Sequence, residues 1–455
     1  MDLNLSNKIS AWLDAHWDEF IFDLERIVRI PSVAAYNELD NDPDAPFGRE
    51  CARVLDETLA LAEGFGMQIK NCEGKCGIMS FRPNENDISV WCHLDVVPAG
   101  GGWELTSPFE PVIRDGYMIA RGADDNKGPA IGAMYVLRAF NELGIKTKHA
   151  IRLCVGCDEE HGMKDVEYYA QNYPAAKLNI IADSGFPVCY GEKGILELNI
   201  VSEKPVACIK ALSAGLAGNI VPDSASMTVL FSGRQIPLAA TGLSRHSAFP
   251  EDGINAIHAL TEAALKTGAF SGYDEQVLKF FNSINDDYLG TALNINGEDE
   301  VSGYTTCVGT MASRLEDGRI CLTLNIRYCI SANSDKMLES IDKACALNGC
   351  RAVLLRDSRP NYFPKEHPAV KALTDLFNEM TGLNKTAFVM GGGTYARKLP
   401  NAFAFGLGGL PKEDTKLFKP GHGGAHQPDE GLHLANLKKA LNIFAMGLLE
   451  ADKII

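Results

Sequence analysis

Apolar and polar residues along the first part of the chain change repeatedly between helical and strand-like spacing. Apolar residues recur at helical spacing from Lys8 to Ile30 and stop before Pro31. Further helices are predicted over Arg49–Phe65 and Pro129–Leu143, and strands over Gly77–Arg82, Ile88–Cys92, Ile151–Gly156 and Ile180–Ala182. The repeated order of strand, polar residues and helix predicts an α/β sheet that carries ligands at the carboxyl ends of its strands.

After Gly191 the pattern changes to alternating strands separated by helices. Strands are predicted over Ile195–Val201, Ser226–Phe231 and Ile320–Ile330, and helices over Asn255–Lys266 and Lys336–Leu347. The C-terminal part returns to a strand at Ala402–Leu407 and a final helix at Leu434–Leu449. We therefore predict one domain built from residues 1–191 and 363–455, interrupted by an inserted α+β domain of residues 192–362.

Composition excludes several classes of protein. The 455 residues carry a formal net charge of −16, whereas a nucleic-acid binder usually has a basic face. The chain lacks an apolar stretch of the ~18 residues that a membrane span needs. Met1–Asp18 does not have the pattern of a secretory signal. With 13 cysteines at irregular spacing, we expect reduced thiols and a cytoplasmic location.

Histidine and acidic residues follow several of the predicted strands or stand in polar loops. They are His93 and Asp95, Asp125 in the segment R-G-A-D-D-N-K-G, the adjacent Glu159 and Glu160, Asp183, and the late His426. A single surface carboxylate is usually only solvated, and a single histidine is usually structural. Several of them at the strand ends of one sheet instead favour a shared site. Imidazole nitrogen and carboxylate oxygen are ligands that zinc accepts.

The order of these motifs resembles a known family. H-x-D, R-G-x-x-D-x-K-G, D-E-E-x-G, an Asp after a strand and a late His occur in that order from His93 to His426. This frame resembles the zinc metallopeptidases that include aminoacylases, glutamate carboxypeptidases and succinyl-diaminopimelate desuccinylases. Segments 391–397 and 426–430 are most similar to the PepV-type dipeptidase branch. The resemblance implies a zinc-exopeptidase-like α/β domain, with a mixed sheet flanked by helices, and a lid formed by residues 192–362.

The resemblance also implies a dinuclear metal centre. His93 and Asp183 would hold one zinc ion, Glu160 and His426 would hold the other, and Asp125 would bridge the two. Manganese and cobalt fit the same kinds of ligand.

Two further residues near the expected metals would assist the reaction. Glu159 would be the general base and acid, and Asp95 would orient the His93 ring from outside the ligand set. The resemblance also implies a cis peptide after Asp125. The chain departs from the family spelling at Asn126, where members often have Asp or Met.

The middle domain offers candidate substrate contacts. The segment around His246 matches the lid histidine motif of the family, and His246 would donate to the oxyanion. By the same resemblance, Asn219 would help to hold substrate, and Arg327 would clamp its carboxylate. Without the resemblance, an arginine on a strand is read as a surface charge. Gly392 and Gly393 are interpreted as a close approach of the backbone to substrate.

Three alternatives concern neighbouring residues. His422 lies four positions before His426, but the H-Q-P-D-E context favours His426. The D-x-K-G register selects Asp125 over Asp124. Cys154 and Cys157 form a C-x-x-C motif, for which a packed strand is favoured over a redox role.

The function expected from the resemblance is hydrolysis of dipeptides with free termini. An N-acyl or N-succinyl amino acid hydrolase would use the same centre, and an inactive metal- or peptide-binding protein is a third hypothesis. The expected partner is a small peptide, with neither nucleic acid nor membrane bound. The branch favours a monomer whose own lid supplies His246, and a dimer stays open.

Overall fold

The computed structural model describes residues 2–36, 42–410 and 415–455. The chain divides into two compact units. The first comprises Met1–Tyr190, Phe363–Phe388 and Thr394–Ile455, and the second comprises Gly191–Tyr362 and Val389–Gly393. The assignment of residues 192–362 to a substrate-capping domain concerns function and stays a prediction.

The first segment of the chain contains five helices among its described residues. They are α1 (Leu3–Ala15), α2 (Trp17–Val28), α3 (Arg49–Gly64), α4 (Gly128–Glu142) and α5 (Lys164–Asn172). The strands of this segment are β1 (Gln68–Cys72), β2 (Cys76–Ser80), β3 (Ile88–His93), β4 (Val112–Arg114), β5 (Tyr117–Ile119), β6 (Ile151–Gly156), β7 (Leu178–Ile181), β8 (Ser184–Gly185) and β9 (Val188–Glu192). The strand predictions for Ile88–Cys92 and Ile151–Gly156 are confirmed.

The single helix predicted over Lys8–Ile30 is wrong. Two helices occupy this segment, because the backbone of His16 leaves the helical region at φ −108° and ψ 12°. The His16 ring stacks on Trp12, and its Nδ1 lies 2.8 Å from the Trp12 carbonyl oxygen. Apolar periodicity continues across the break, since both helices bury one face, so the pattern alone does not reveal it.

The second unit is an antiparallel sheet packed against helices, as an α+β module requires. Its elements are β10 (Gly194–Ser202), β11 (Ile209–Ala214), β12 (Ser224–Phe231), β13 (Arg234–Thr241), α6 (Ala256–Lys266), α7 (Gly272–Ile284), β14 (Glu298–Asp299), β15 (Gly303–Tyr304), β16 (Thr306–Arg314), β17 (Ile320–Tyr328), α8 (Ser334–Leu347), β18 (Cys350–Ser358) and β19 (Asn361–Tyr362). The strand order is β13-β12-β11-β16-β17-β10-β18. Apolar residues of this sheet and of the three helices form one buried core.

The last segment returns to the first unit, except for Val389–Gly393, which belong to the second unit. Its elements are α9 (Pro368–Thr381), β20 (Phe388–Met390), β21 (Ala402–Phe405), β22 (Leu407–Gly408), β23 (Gly431–His433) and α10 (Leu434–Ile454). The predicted strand Ala402–Leu407 is interrupted at Gly406, whose φ of +73° lies in the left-handed region. The predicted final helix is confirmed and extends to Ile454.

The main sheet of the first unit is mixed, as expected. Its strand order includes β1-β2-β6-β3-β7-β21-β9. β3 runs parallel to β6 and β7, and β7 runs parallel to β21. β1, β2 and β9 pair with their neighbours in antiparallel fashion. The carboxyl ends of β6, β3 and β7 therefore lie side by side at one edge of the sheet, where open α/β folds place their sites.

Candidate metal centre

Three adjacent parallel strands deliver most of the candidate residues to one edge of the sheet. His93 is the last residue of β3 and is paired with Gly156, the last residue of β6. Glu159 and Glu160 follow β6 in the next turn, and Asp183 follows β7. Parallel strands that end together therefore bring these four side chains into one region.

The other two predicted ligands, Asp125 and His426, come from loops of the same unit. Asp125 lies in the turn Ala123–Lys127 immediately before α4, and the peptide between Asp125 and Asn126 is cis, as the resemblance implied. His426 lies in the loop before β23 with a φ of +64°. A left-handed conformation is uncommon outside glycine and often marks a functional position.

The candidate ligands form two groups that share one carboxylate. The first ligand triad is His93, Asp125 and Asp183, and the second ligand triad is Asp125, Glu160 and His426. Within each triad the ligating atoms lie within 4.8 Å of one another. All five predicted metal ligands are therefore brought together.

The two oxygens of Asp125 face different histidines. Oδ1 lies 3.0 Å from Nε2 of His93, and Oδ2 lies 3.1 Å from Nε2 of His426. Oδ2 of Asp183 lies 3.8 Å from the same His93 nitrogen, and Oε1 of Glu160 lies 2.7 Å from the His426 nitrogen. Ligand atoms about 2.0–2.2 Å from a shared zinc ion would be separated by roughly 3.3–3.5 Å in tetrahedral geometry, close to these spacings.

Asp95 contacts both its expected partner and the glutamate pair. The predicted role was orientation of the His93 ring, and Nδ1 of His93 lies 3.0 Å from the Asp95 main-chain carbonyl but 3.5 Å from its carboxylate. The carboxylate instead accepts hydrogen bonds from the backbone N–H groups of Glu159 and Glu160, at 3.1 and 3.0 Å. Asp95 thus holds the His93 ring and the glutamate turn together.

Glu159 belongs to neither ligand triad. Its side chain is buried, and among the described residues its Oε1 has no hydrogen-bond partner. Burial raises the pKa of Glu159 well above its ordinary value, although the nearby His93 opposes the shift. A buried carboxyl beside the ligands, free of hydrogen bonds at one oxygen, is suited to proton transfer.

The electrostatics of the ligands indicate a site that lacks positive charge. Burial raises the pKa of Asp183 and of Glu160. Burial alone would lower the pKa of His426, but its hydrogen bonds with Asp125 and Glu160 raise it to about 11. The pKa of His93 is likewise raised well above normal by Asp183 and Asp125, against the effect of burial. The carboxylates around both imidazoles favour positive charge at this site, so this donor set fits divalent metal ions.

Sequence reasoning missed Glu430 as part of the site. Glu430 is fully buried, and its Oε1 accepts hydrogen bonds from the backbone N–H groups of Asp124 and Asp125, at 2.9 and 3.0 Å. Arg121 donates to its Oε2 at 2.7 Å. Glu430 thus joins the loop of His426 to the turn of Asp125. The sequence gives only a weak indication of this role: two distant motifs carry residues of opposite charge, Arg121 and Glu430.

The other missed residue is Asn126. Its buried side chain contacts the backbone of His93 and the carboxylate of Asp183. The sequence showed it only as a departure from the family spelling.

The alternative residues have contacts that differ from those of the predicted ligands. Nδ1 of His422 lies 2.7 Å from a carboxylate oxygen of Asp429, and His422 is in neither ligand triad. Asp124 is also outside both triads. Cys154 and Cys157 are buried free thiols, and burial raises the pKa of Cys154 to about 12, which opposes a thiolate role.

The predicted substrate-contacting residues all lie in the second unit. The backbone N–H of Ser247 donates to the Asn219 carbonyl at 2.9 Å, and Ile220 pairs with His246. These contacts join the Asn219 and His246 loops.

Arg327 is buried, at 5% exposure, so the surface-charge reading is wrong. Its Nε donates to Oδ1 of Asn325 and its Nη1 donates to the Gly391 carbonyl, both at 2.8 Å. This second contact fixes the backbone next to Gly392 and Gly393. Their roles in binding substrate stay predictions.

Comparisons with known proteins agree with the motifs. The sequence profile described as peptidase family M20/M25/M40 matches residues 90–450. YtjP of Bacillus subtilis (strain 168), named provisionally as a dipeptidase, is 30% identical over 468 residues, which cover 96% of this chain and 98% of YtjP.

Solved structures show the same fold. The dipeptidase Dug1p of Saccharomyces cerevisiae has a TM-score of 0.62 at 16% identity, with 98% of each chain covered. The Bacillus subtilis protein YXEP, described as a dinuclear metal binding peptidase, has a TM-score of 0.51 at 12% identity, with 97% of this chain and 100% of that chain covered. Within the described part of this chain, no helix is both long and apolar enough to cross a membrane.

Proposed function

This chain belongs to the peptidase family M20/M25/M40, and from that membership we propose that it hydrolyses dipeptides with free amino and carboxyl ends in a metal-dependent reaction. One observation carries the proposal. The two oxygens of the Asp125 carboxylate approach the imidazoles of two different ligand triads. A carboxylate in that position can bridge two cations, and paired metal ions are a recurrent means of hydrolysis in aminopeptidases.

The proposed cofactor is a pair of divalent cations. His93, Asp125 and Asp183 would hold one, and Asp125, Glu160 and His426 would hold the other. Zinc is the metal proposed, because imidazole nitrogen and carboxylate oxygen are its usual ligands, although Mn²⁺ and Co²⁺ accept the same groups. When bound, such metals lower the pKa of water to about 7 and polarise the scissile carbonyl. The description of YXEP as dinuclear supports two metals.

Glu159 is proposed to move the proton. Its buried carboxylate would accept a proton from the attacking water and pass it to the leaving amine. Its raised pKa supports this role, because a general base and acid works best when its pKa approaches the working pH. Asp95 would keep Glu159 in position through its hydrogen bond to the Glu159 backbone.

Residues of the second unit are proposed to bind the rest of the substrate. His246 would donate a hydrogen bond to the oxyanion, and Asn219 would support it. Arg327 would bind the free carboxylate, while Gly392 and Gly393 would allow close approach of their backbone. The network from Ser247 through Asn325 to Arg327 and Gly391 supports these roles, because it holds the residues in fixed relation.

The proposed substrate class rests on relatives. YtjP is named provisionally as a dipeptidase, and Dug1p is described as one. An N-acyl or N-succinyl amino acid presents the same amide and carboxylate, so the metal centre alone does not distinguish the two classes.

A hydrolysis panel tests the proposal. The purified protein, stripped of metal and reloaded in turn with Zn²⁺, Mn²⁺ or Co²⁺, would be given Ala-Leu, N-acetyl-Leu and N-succinyl-Leu. N-acetyl-Ala-Leu and Ala-Leu amide would test the need for each free end, and metal-free protein is the control. We expect rapid cleavage of Ala-Leu only. Cleavage confined to the acylated amino acids would replace dipeptidase with amidohydrolase, and metal uptake without turnover of any substrate would favour a binding protein.

Location and assembly are proposed from the cysteines and from the second unit. The thirteen cysteines contain no disulfide, which supports a reducing compartment such as the cytoplasm. We propose a monomer, since the long second unit carries its own His246. Sedimentation equilibrium would contradict this if it gave the mass of a dimer.

A further inference from the structure

Asn126 joins three of the segments that surround the first ligand triad. Its side chain is 2% exposed. Oδ1 accepts a hydrogen bond from the backbone N–H of His93 at 3.3 Å. Nδ2 donates to the Ala182 carbonyl and to Oδ1 of Asp183, both at 3.0 Å.

The orientation of this amide follows from its neighbours. The His93 backbone N–H can only donate, and the Ala182 carbonyl and the Asp183 carboxylate can only accept. Only one placement of the Asn126 oxygen and nitrogen satisfies all three. A carboxylate at this position could accept from His93 but would face two other acceptors.

The hydrogen bond from Asn126 gives the two oxygens of Asp183 different surroundings. Oδ1 accepts the hydrogen bond from Asn126, whereas Oδ2 is the oxygen 3.8 Å from Nε2 of His93. A carboxylate oxygen held by an N–H donor is a poorer metal ligand than its free partner. Asp183 is therefore held as a ligand through one oxygen.

We propose that Asn126 is a positioning residue that sets the metal preference of the first ligand triad. It holds the site to three protein ligands: one nitrogen of His93 and one oxygen each from Asp125 and Asp183. Three protein ligands with one open position is the arrangement of catalytic zinc sites, whereas Mn²⁺ favours more oxygen ligands. This inference rests on the proposed metal centre and deepens it by naming what selects the metal.

Two substitutions separate the effects of the amide. Asn126→Ala frees Oδ1 of Asp183, so that both oxygens can bind one cation. Asn126→Asp keeps the size of the side chain but replaces the donor with a charged acceptor. Asn179→Ala is the matched control. Asn179 is also buried and donates to the Pro400 carbonyl at 2.7 Å, and it hydrogen-bonds Trp91 instead of a ligand.

The measurement is the stepwise affinity of the metal-free proteins for Zn²⁺ and for Mn²⁺, by competition with a chelating dye. Each protein should bind two metal ions per chain. For one of these two ions, we expect Asn126→Ala to lower the ratio of the Zn²⁺ affinity to the Mn²⁺ affinity by at least about 10-fold. This is the usual size of the effect for a residue that supports a metal ligand. For the same ion, Asn126→Asp should weaken the affinity for both metals by a similar factor. The affinities for the other ion, and for both ions of Asn179→Ala, should stay within about 2-fold.

The outcomes distinguish this inference from the proposed function. Thermal unfolding of each metal-free variant shows whether it folds. If Asn126→Ala does not fold, Asn126→Asp serves as the test in its place. An unchanged zinc-to-manganese ratio in a folded Asn126→Ala protein that binds two metals would overturn the inference and leave the metal centre intact. An equal loss in Asn179→Ala would also overturn it. Wild-type protein that binds no metal would sink both proposals.

Discussion

Glu159 and Glu160 are consecutive in the chain, yet their surroundings give them different chemistry. The Asp95 carboxylate holds the backbone N–H groups of both. Oε1 of Glu160 lies 2.7 Å from Nε2 of His426, whereas Oε1 of Glu159 has no hydrogen-bond partner in the described part of the chain. One residue can therefore be a ligand while its neighbour remains available for proton transfer.

Substitution of Glu159 tests this division. Glu159→Gln keeps the size of the side chain but removes its basic oxygen, so we expect turnover to fall by at least about 100-fold. The metal content should be unchanged, because Glu159 is outside both ligand triads. Steady-state kinetics and elemental analysis of the same preparation provide the check.

Glu160→Gln is the matched control, since it alters a candidate ligand one position away. It should lose about one metal equivalent per chain. If instead Glu159→Gln lost metal while Glu160→Gln retained it, the two assignments would have to be exchanged.

At the scale of elements, short polar segments join the site across long distances in sequence. Asp429 and Glu430 are adjacent, and each accepts two backbone hydrogen bonds from a different loop. Asp429 holds Glu104 and Leu105, and Glu430 holds Asp124 and Asp125. The loop that carries His426 is thus fastened to two other loops of the first unit without any regular secondary structure.

Helices α2 and α4 meet at a buried acid. Asp23 on α2 accepts a hydrogen bond from the Tyr135 hydroxyl on α4 at 2.7 Å. Burial raises the pKa of Asp23 above its ordinary value of 3.8, although the bond to Tyr135 and the charge of Arg26 oppose the shift. Between the ordinary and the raised pKa, the folded protein binds a proton that the unfolded chain has lost. The free energy of unfolding therefore falls as pH rises through that window.

Asp23→Asn should remove this pH dependence, because asparagine still accepts from Tyr135 and does not ionise. Relative to wild type, we expect the substituted protein to gain stability as the pH rises above about 3.9, the ordinary pKa of aspartate. Urea unfolding of both proteins, without metal, at several pH values measures the difference. Tyr135→Phe should steepen the fall, since it removes a bond that favours the charged form. A stability difference independent of pH would contradict the prediction.

For the whole molecule, a net charge of −16 and a cluster of partly buried carboxylates predict that bound cations stabilise the fold. Three candidate ligands and Glu159 are carboxylates within one site. A cation that binds only the folded chain stabilises it by about 2.7 kcal/mol at 100 times its Kd. Two such sites would contribute roughly twice that amount.

Removal of metal by a chelator should therefore lower Tm by roughly 5 °C or more, and added Zn²⁺ should restore it. Scanning calorimetry with and without chelator is the measurement. His93→Ala should show a smaller response, because one ligand triad is broken. An unchanged Tm after proven metal removal would show that the cations do not contribute to folding.

The pattern of the chain predicted strands such as β3 and helices such as α4 and α10, but it missed helices α5, α7 and α9 and did not show how the strand ends would meet. Strands such as Ile151–Gly156 were identified to the residue, because a buried apolar run between polar turns is a local signal. The break at His16 was missed, since both helices keep the same apolar spacing. All five candidate ligands came from the family resemblance carried by the order of motifs, whereas Asn126 and Glu430 contact partners that no local pattern indicates.

By itself, the sequence determined the candidate ligands and local elements such as the strand Ile151–Gly156, since an apolar run between polar turns depends on near neighbours. Only the tertiary structure placed Oε1 of Glu160 2.7 Å from Nε2 of His426, 266 positions away, and Nδ1 of His422 beside Asp429. The tertiary structure also placed the two carboxylate oxygens of Asp125 beside different histidines. Such contacts depend on strand order and loop closure, because parallel strands from separate parts of the chain must first pair before their ends can meet.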